Sequence, residues 1–211
     1  MIGEQAREKA CKRLDKICAT PGIDGIAFDY VGYNNYYGCQ HPDCLKQCAE
    51  YLKRHNLADT KDNRSKFYLF ELTEYYRACT EHIKRINPEF RVIAHLYPVF
   101  EPHPFYGNQL QIDIAGETCA WYRIGDLKKV EADARTVHQG QHKYCKKTEC
   151  IPFIGFTAGG LIDKKDAARV ELELQAILRS GTNALMVHEL HSVLKVPEVL
   201  AVFRKYCTPE P

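Results

Sequence analysis

Apolar residues at Ala6, Ala10, Leu14 and Ile17 keep the spacing of one helical face and predict a helix from Glu4 to Cys18, stopped by Thr20-Pro21-Gly22. Gly22 to Tyr30 then reads as a short buried strand in period two, with Gly25, Ala27 and Asp29 on one face and Ile26 and Phe28 on the other. A loop rich in Tyr, Asn and Gly follows from Val31 to Asp43, then a short helix from Cys44 to Arg54. A long helix runs from Arg64 to Ile86 on Phe67, Phe70, Tyr75, Cys79, Ile83 and Ile86, and Asn87-Pro88 ends it.

The second half alternates in the same way. Strands are predicted at Arg91–Tyr97, Gln109–Gly116, Cys150–Phe156 and Asn183–His188. Helices are predicted from Asp126 to about Gln141, from the Asp163-Lys164-Lys165-Asp166 opening to Ser180-Gly181, and from Pro197 to Tyr206. Strands alternating with helices imply a parallel sheet with right-handed crossovers. Five strands are too few for a closed eight-stranded barrel of roughly 250 residues. Two architectures remain: an open doubly wound sheet, or the C-terminal five-eighths of a TIM-like barrel, in either case one α/β domain over residues 1–211. No Gly-rich phosphate fingerprint follows the first strand, which weakens the nucleotide-binding form of the open sheet.

The face of the first strand that carries Asp29 is nearly bare of bulk, while Ile26 and Phe28 supply the apolar side. In a parallel barrel this sets Asp29 at the C-terminal mouth, where barrel enzymes hold their chemistry. The competing role is an Asp that caps the loop after the strand.

Composition narrows the class. Hydrophobic residues are 45% and charged residues 27% of the 211, ordinary for a soluble globular chain. A net charge of +2 is no footprint for nucleic acid or a membrane surface. No run approaches the ~18 apolar residues of a membrane helix. The N-terminus reads as an amphipathic segment rather than a secretory signal. Ten cysteines fall below the density of a disulfide scaffold. Cys11, Cys18 and Cys79 lie in helical patterns as small core residues, and the expectation is a reduced, cytoplasmic chain.

The stretch Asp24-Gly25-Ile26-Ala27-Phe28-Asp29, the Tyr/Asn/Gly loop and the closely spaced Cys39 and Cys44 resemble the glycoside hydrolases of the (β/α)8-barrel superfamily, in which a DGI-x-x-D strand precedes a cysteine-containing loop. The resemblance is good over Thr20 to Tyr51 and extends elsewhere only as strand-helix order. It implies that this strand is the fourth of a barrel and that its terminal carboxylate is catalytic or binds sugar. It also implies that a missing N-terminal barrel half, or a second copy of the chain, completes the structure, and that full-length relatives are exported.

Glycoside hydrolysis uses two carboxylates, one to protonate the leaving oxygen and one to attack the anomeric carbon or activate water. The resemblance points to Asp29 and Glu117, with Glu189 the alternate. Gln111, Asp113, Ala115 and Glu117 share one face in period two, a polar face suited to a wet barrel mouth. Tyr30, Asn34, His95, Tyr97, Asp113, Trp121 and His188 are the expected carbohydrate-binding residues, with Trp121-Tyr122 as a stacking platform. Helix–sheet packing is the competing use of Trp121, and core packing that of His95. His188-Glu189-x-His191 lacks the spacing of a helical zinc motif.

Cys39, His41, Cys44 and Cys48 contain enough ligands for a tetrahedral zinc centre, with Cys145 and Cys150 a second, weaker pair. The spacing is looser than C-x2-C, and disulfides or ordinary loop and helix cysteines fit it too. No other cofactor is expected. The charge runs Asp163–Asp166 and Lys143–Glu149 read as solvated faces. The function these readings support is a glycoside hydrolase or a piece of one acting on a carbohydrate substrate. The alternative is a non-catalytic α/β module that binds a glycan or a protein.

Overall fold

A computed structural model describes residues 4–33, 38–98, 104–121, 124–140, 147–157 and 165–207. The elements in chain order are α1 (Glu4–Cys18), β1 (Gly25–Val31), α2 (Pro42–Arg54), α3 (Lys61–Ile86), β2 (Arg91–Leu96), β3 (Ile114–Ala120), α4 (Leu127–Gly140), β4 (Glu149–Gly155), α5 (Ala167–Leu178), β5 (Met186–His188), α6 (Leu190–Leu194) and α7 (Pro197–Cys207). The five strands form one sheet in the order β1-β2-β3-β4-β5. The β1/β2 and β4/β5 pairs are parallel. Strand order that follows chain order is barrel-like, whereas a doubly wound sheet reverses direction at a switch point. The fold is therefore a partial TIM-barrel-like α/β sheet, and the doubly wound alternative is set aside. Among the described residues no helix is long and apolar enough to cross a membrane.

The chain divides into two compact units, residues 1–115 with 142–149, and residues 116–141 with 150–211. In the first, α3 buries Phe67, Tyr68, Leu69, Leu72, Cys79 and Ile83. Phe70 and Ile86 lie on its exposed side, contrary to the expected stripe, because Leu69 and Leu72 take the inward positions. Thr60 caps the helix by accepting from the Asn63 amide. α2 starts on Pro42 with His41 as its cap, the imidazole accepting from the Asp43 amide at 3.4 Å. In β2, Val92, Ala94 and Leu96 are fully buried, and a residue such as Leu96 contributes about 1.5–3 kcal/mol relative to exposure.

In the second unit, β4 is buried at every position after Glu149, the near-continuous apolar run of a strand covered on both faces. α5 packs inward through Val170, Leu174 and Ile177, as its period indicates, and Asp166 caps it on the Arg169 amide at 2.7 Å. α6, which follows β5 and is only five residues long, carries too short a pattern to be read from sequence.

Two expectations are corrected here. The third strand does not span Gln109–Gly116. Gly107–Gln109 is a 3-10 turn, Gln111 has a left-handed backbone (φ 54°), and β3 begins at Ile114. The Asp163–Asp166 run is not wholly a solvated face. Lys165 is buried, its Nζ donating to Glu173 Oε2 at 2.7 Å and to the carbonyl of Gly155 at 3.0 Å, while Arg169 Nε holds Glu173 Oε1 at 2.8 Å. Burial pushes the Lys165 ammonium below its ordinary range, against the upward pull of Glu173.

Candidate active site

The end of β1 departs from regular pairing. Phe28 is opposite Ala94 and Val31 opposite Leu96, so Asp29 and Tyr30 together face the single residue His95. Two residues against one is a β-bulge, a device that re-aims side chains beside active sites. Tyr30 takes up the extra residue with a left-handed backbone, φ 54°. The consequence is that both side chains meet His95. Asp29 Oδ1 lies 2.7 Å from His95 Nδ1, and the ring of Tyr30 meets the imidazole edge-on at 5.7 Å between centroids.

Asp29 Oδ1 also accepts from the Tyr30 amide at 2.9 Å. Both hydrogen bonds therefore fall on one oxygen, and Oδ2 makes none among the described residues. The carboxylate side chain is 52% exposed and the imidazole 5%. A carboxylate beside Nδ1 selects the tautomer that donates from that nitrogen. The geometry is a half-exposed carboxylate with one oxygen fixed by two hydrogen bonds.

Tyr97 extends the same face of β2. Its ring stacks on Tyr30 at 5.3 Å and 23°, and Tyr30 is the exposed member. The strand ends are tied beneath them: the Tyr97 amide donates to Val31 O at 3.0 Å, and the buried hydroxyl of Tyr106 shares its proton between the carbonyls of Val31 and Tyr97, at 2.7 and 2.8 Å. Tyr106 had no signal in the sequence, because it stands in an irregular connection and bonds to backbone rather than to any motif.

The loop after β1 is fixed by α3. Tyr68 Oη donates to Cys39 O at 2.9 Å, and Gly38 lies against the Tyr68 ring. The thiol of Cys44 is pushed up to about 11, mainly by burial and further by the neighbouring Cys39 thiol. Burial and the nearby Glu71 carboxylate also hold the Tyr33 phenol well above its usual range. Cys48 is buried on α2 and its thiol is pushed up by burial. His41 is spent on capping α2. Among the described residues no group of three or more His, Cys, Asp or Glu side chains is disposed to hold a metal ion. The described cysteines are free thiols.

In the second unit, Glu117 lies within β3 rather than after it and is 2% exposed. Cys119, two positions on, has its thiol driven up by burial and by the Glu117 charge. Trp121 follows the strand and stacks on Phe153 at 5.5 Å and on His188 at 6.2 Å. Its ring is thus packed against side chains of β4 and β5. His188 ends β5, its carbonyl accepting from Phe156 N. Glu189 opens α6 and accepts from Ser192 Oγ at 2.7 Å, and His191 is exposed.

Asp113 is placed away from the mouth. It lies before β3, at the N-terminal end of the strands, where its Oδ2 accepts from the Val92 amide at 2.7 Å and from Lys84 Nζ at 2.8 Å. Its backbone joins the same seam, donating to Val92 O and accepting from Glu149 N. The shift of the third strand moved it, and its carboxylate serves as a fastener. Asn34, Tyr122 and Cys145, singled out in the sequence, lie outside the described residues.

No family model matches this chain, and no curated protein matches it. Among solved structures, it is similar to the PgaB (BpsB) glycoside hydrolase domain from Bordetella bronchiseptica, with a TM-score of 0.65 and 10% identity over 99% of this chain. It spans 64% of that domain's length. Bee venom hyaluronidase, solved with a hyaluronic acid tetramer, gives 0.49 and 12%, covering 97% of this chain and 72% of that one. The GH53 catalytic domain of Ignisphaera aggregans gives 0.42 and 14%, covering 86% and 64%. At such identity the first of these shows the fold alone, the partial TIM-barrel-like α/β sheet.

Proposed function

We propose that this chain contributes a glycoside hydrolase centre in which Asp29 is the carboxylate that attacks the anomeric carbon or activates the water that does. The observation that carries the reading is the disposition of Asp29 at the C-terminal end of β1: a half-exposed carboxylate whose Oδ1 is held by His95 and the Tyr30 amide. An ionised oxygen held in a set direction stabilises an oxocarbenium-like transition state without reorganising when charge develops. His95 acts as a positioning residue, and the exposed Tyr30 ring, backed by Tyr97, offers an apolar sugar face a surface to stack on. The likeness in fold to a glycoside hydrolase domain supports the same reading.

Glu117 is the proposed proton donor, with Glu189 the alternate, on the resemblance alone. Trp121 and His188 are proposed as further carbohydrate contacts. The test is turnover on a panel of aryl glycosides by the wild-type chain, Asp29→Asn, Glu117→Gln and Glu189→Gln, with thermal melting of each. Loss of turnover by orders of magnitude in Asp29→Asn at an unchanged melting temperature supports the reading. Full activity in that variant overturns it. Glycan binding by folded wild-type protein without turnover makes the chain a binding module instead.

A further inference from the structure

One buried phenol spans the ends of β1 and β2. Tyr106 Oη stands 2.7 Å from the carbonyl of Val31 and 2.8 Å from that of Tyr97, and the residue is fully buried. Its own backbone is rooted in the core. The Tyr106 carbonyl accepts from the Gln109 amide at 3.0 Å at the start of the 3-10 turn, and the following Leu110 and Ile112 are buried. The two carbonyls it reaches belong to the backbone that carries the ring pair. Val31 directly follows Tyr30, and Tyr97 supplies the second ring, stacked on the first at 5.3 Å and 23°. Tyr30 holds this place with a left-handed backbone, which an L-residue keeps only where its surroundings impose it. Phenylalanine at 106 would fill the same core space. What the hydroxyl adds is a bridge between the two strand ends.

We propose that Tyr106 is a positioning residue for carbohydrate binding, its hydroxyl setting the spacing of the Tyr30–Tyr97 ring pair on which a sugar face stacks. The ligand, a pyranoside whose C–H face lies on the exposed Tyr30 ring, rests on the hydrolase reading above. Asp29 is fixed separately, by His95 and the Tyr30 amide. The Tyr106 hydroxyl therefore acts on sugar binding rather than on the attacking carboxylate. Stacking on a sugar face is present in the ground state and the transition state alike. Losing such uniform binding raises KM and leaves kcat in place.

The experiment labels the tyrosine rings of the full chain with 13C and assigns two of them by NMR through Tyr30→Phe and Tyr97→Phe. In the wild type the Tyr30 and Tyr97 rings should show a direct Overhauser contact, and the Tyr106 hydroxyl proton should exchange slowly with solvent. Tyr106→Phe is expected to weaken that contact and to raise KM on aryl glycosides by about three- to tenfold at unchanged kcat, the equivalent of one aromatic contact. Tyr68→Phe removes a comparable hydroxyl-to-backbone bond, to Cys39 O, and should leave the ring contact as it is. An intact Tyr30–Tyr97 contact in Tyr106→Phe overturns the proposal. So do an equal loss in Tyr68→Phe, a freely exchanging Tyr106 hydroxyl in the wild type, or a fall in kcat at constant KM. A folded wild type that turns over no glycoside defeats the hydrolase reading by itself, and the ring contact and hydroxyl exchange then decide the role of Tyr106.

Discussion

His95 Nδ1 stands 2.7 Å from Asp29 Oδ1, although 66 positions separate the two residues in the chain. The contact exists because the bulge sets Asp29 and Tyr30 together across from His95. Asp29→Asn keeps an acceptor oxygen for both the imidazole and the Tyr30 amide, so it should cost about 1 kcal/mol or less. Asp29→Ala removes the acceptor from a buried imidazole and should cost about 1–3 kcal/mol. Urea midpoints of the two variants check this ordering. Equal losses would show that the hydrogen bond has no structural part.

Lys165 and Glu173 form a buried pair whose side chains are 1% and 0% exposed. Lys165→Met leaves Glu173 with Arg169 alone and should cost about 3–5 kcal/mol, whereas adding Glu173→Leu should recover much of the loss. Denaturant unfolding of the single and double variants reads this directly.

The same lysine predicts a pH dependence. Burial lowers its native pKa from the ordinary 10.5, so between the native value and 10.5 the unfolded chain binds more protons than the folded one. In that window its contribution to stability rises with pH. The advantage of wild type over Lys165→Met, measured across alkaline pH, should therefore widen as pH rises through that window. A difference that is flat with pH would contradict it.

Two glycines differ in what an added methyl would meet. At Gly38 it would lie 2.4 Å from the Tyr68 ring, at a backbone with φ 84°, and neither can yield. Gly38→Ala should cost about 2–4 kcal/mol. At Gly116 the obstacle is Met186 Sδ at 2.6 Å, the far end of a flexible side chain. Gly116→Ala should therefore cost less, and thermal melts of both variants decide the order.

Cys79 and Cys119 are buried, with thiols held up by burial, Cys79 at about 11. At pH 8 they should resist alkylation until the chain unfolds, because the thiolate is the reacting form. Alkylation rates of these two peptides should rise together with the urea transition. Rapid labelling in native buffer would show that these sites open locally.

The periodic elements were legible in the chain. α1 has the expected bounds, and the faces of β1 and α5 follow their side-chain period, because burying one side of a helix or strand is a local regularity written residue by residue. A carboxylate at the end of β1 could be read in the same way. Where β3 begins could not. Ile112 and Ile114 suit a strand as well as the residues after them, but the backbone at Gln111 is left-handed, and Asp113 is fixed by Val92, Lys84 and Glu149, all distant in sequence. The burial of Lys165 was equally hidden, since its partner Glu173 sits on a helix that from sequence alone presents an ordinary charged position there. What turned Asp29 from a strand-end carboxylate into an oriented one was the pairing of β1 with β2. A bulge is set by which residues lie across the ladder, and that register exists only once the strands have met.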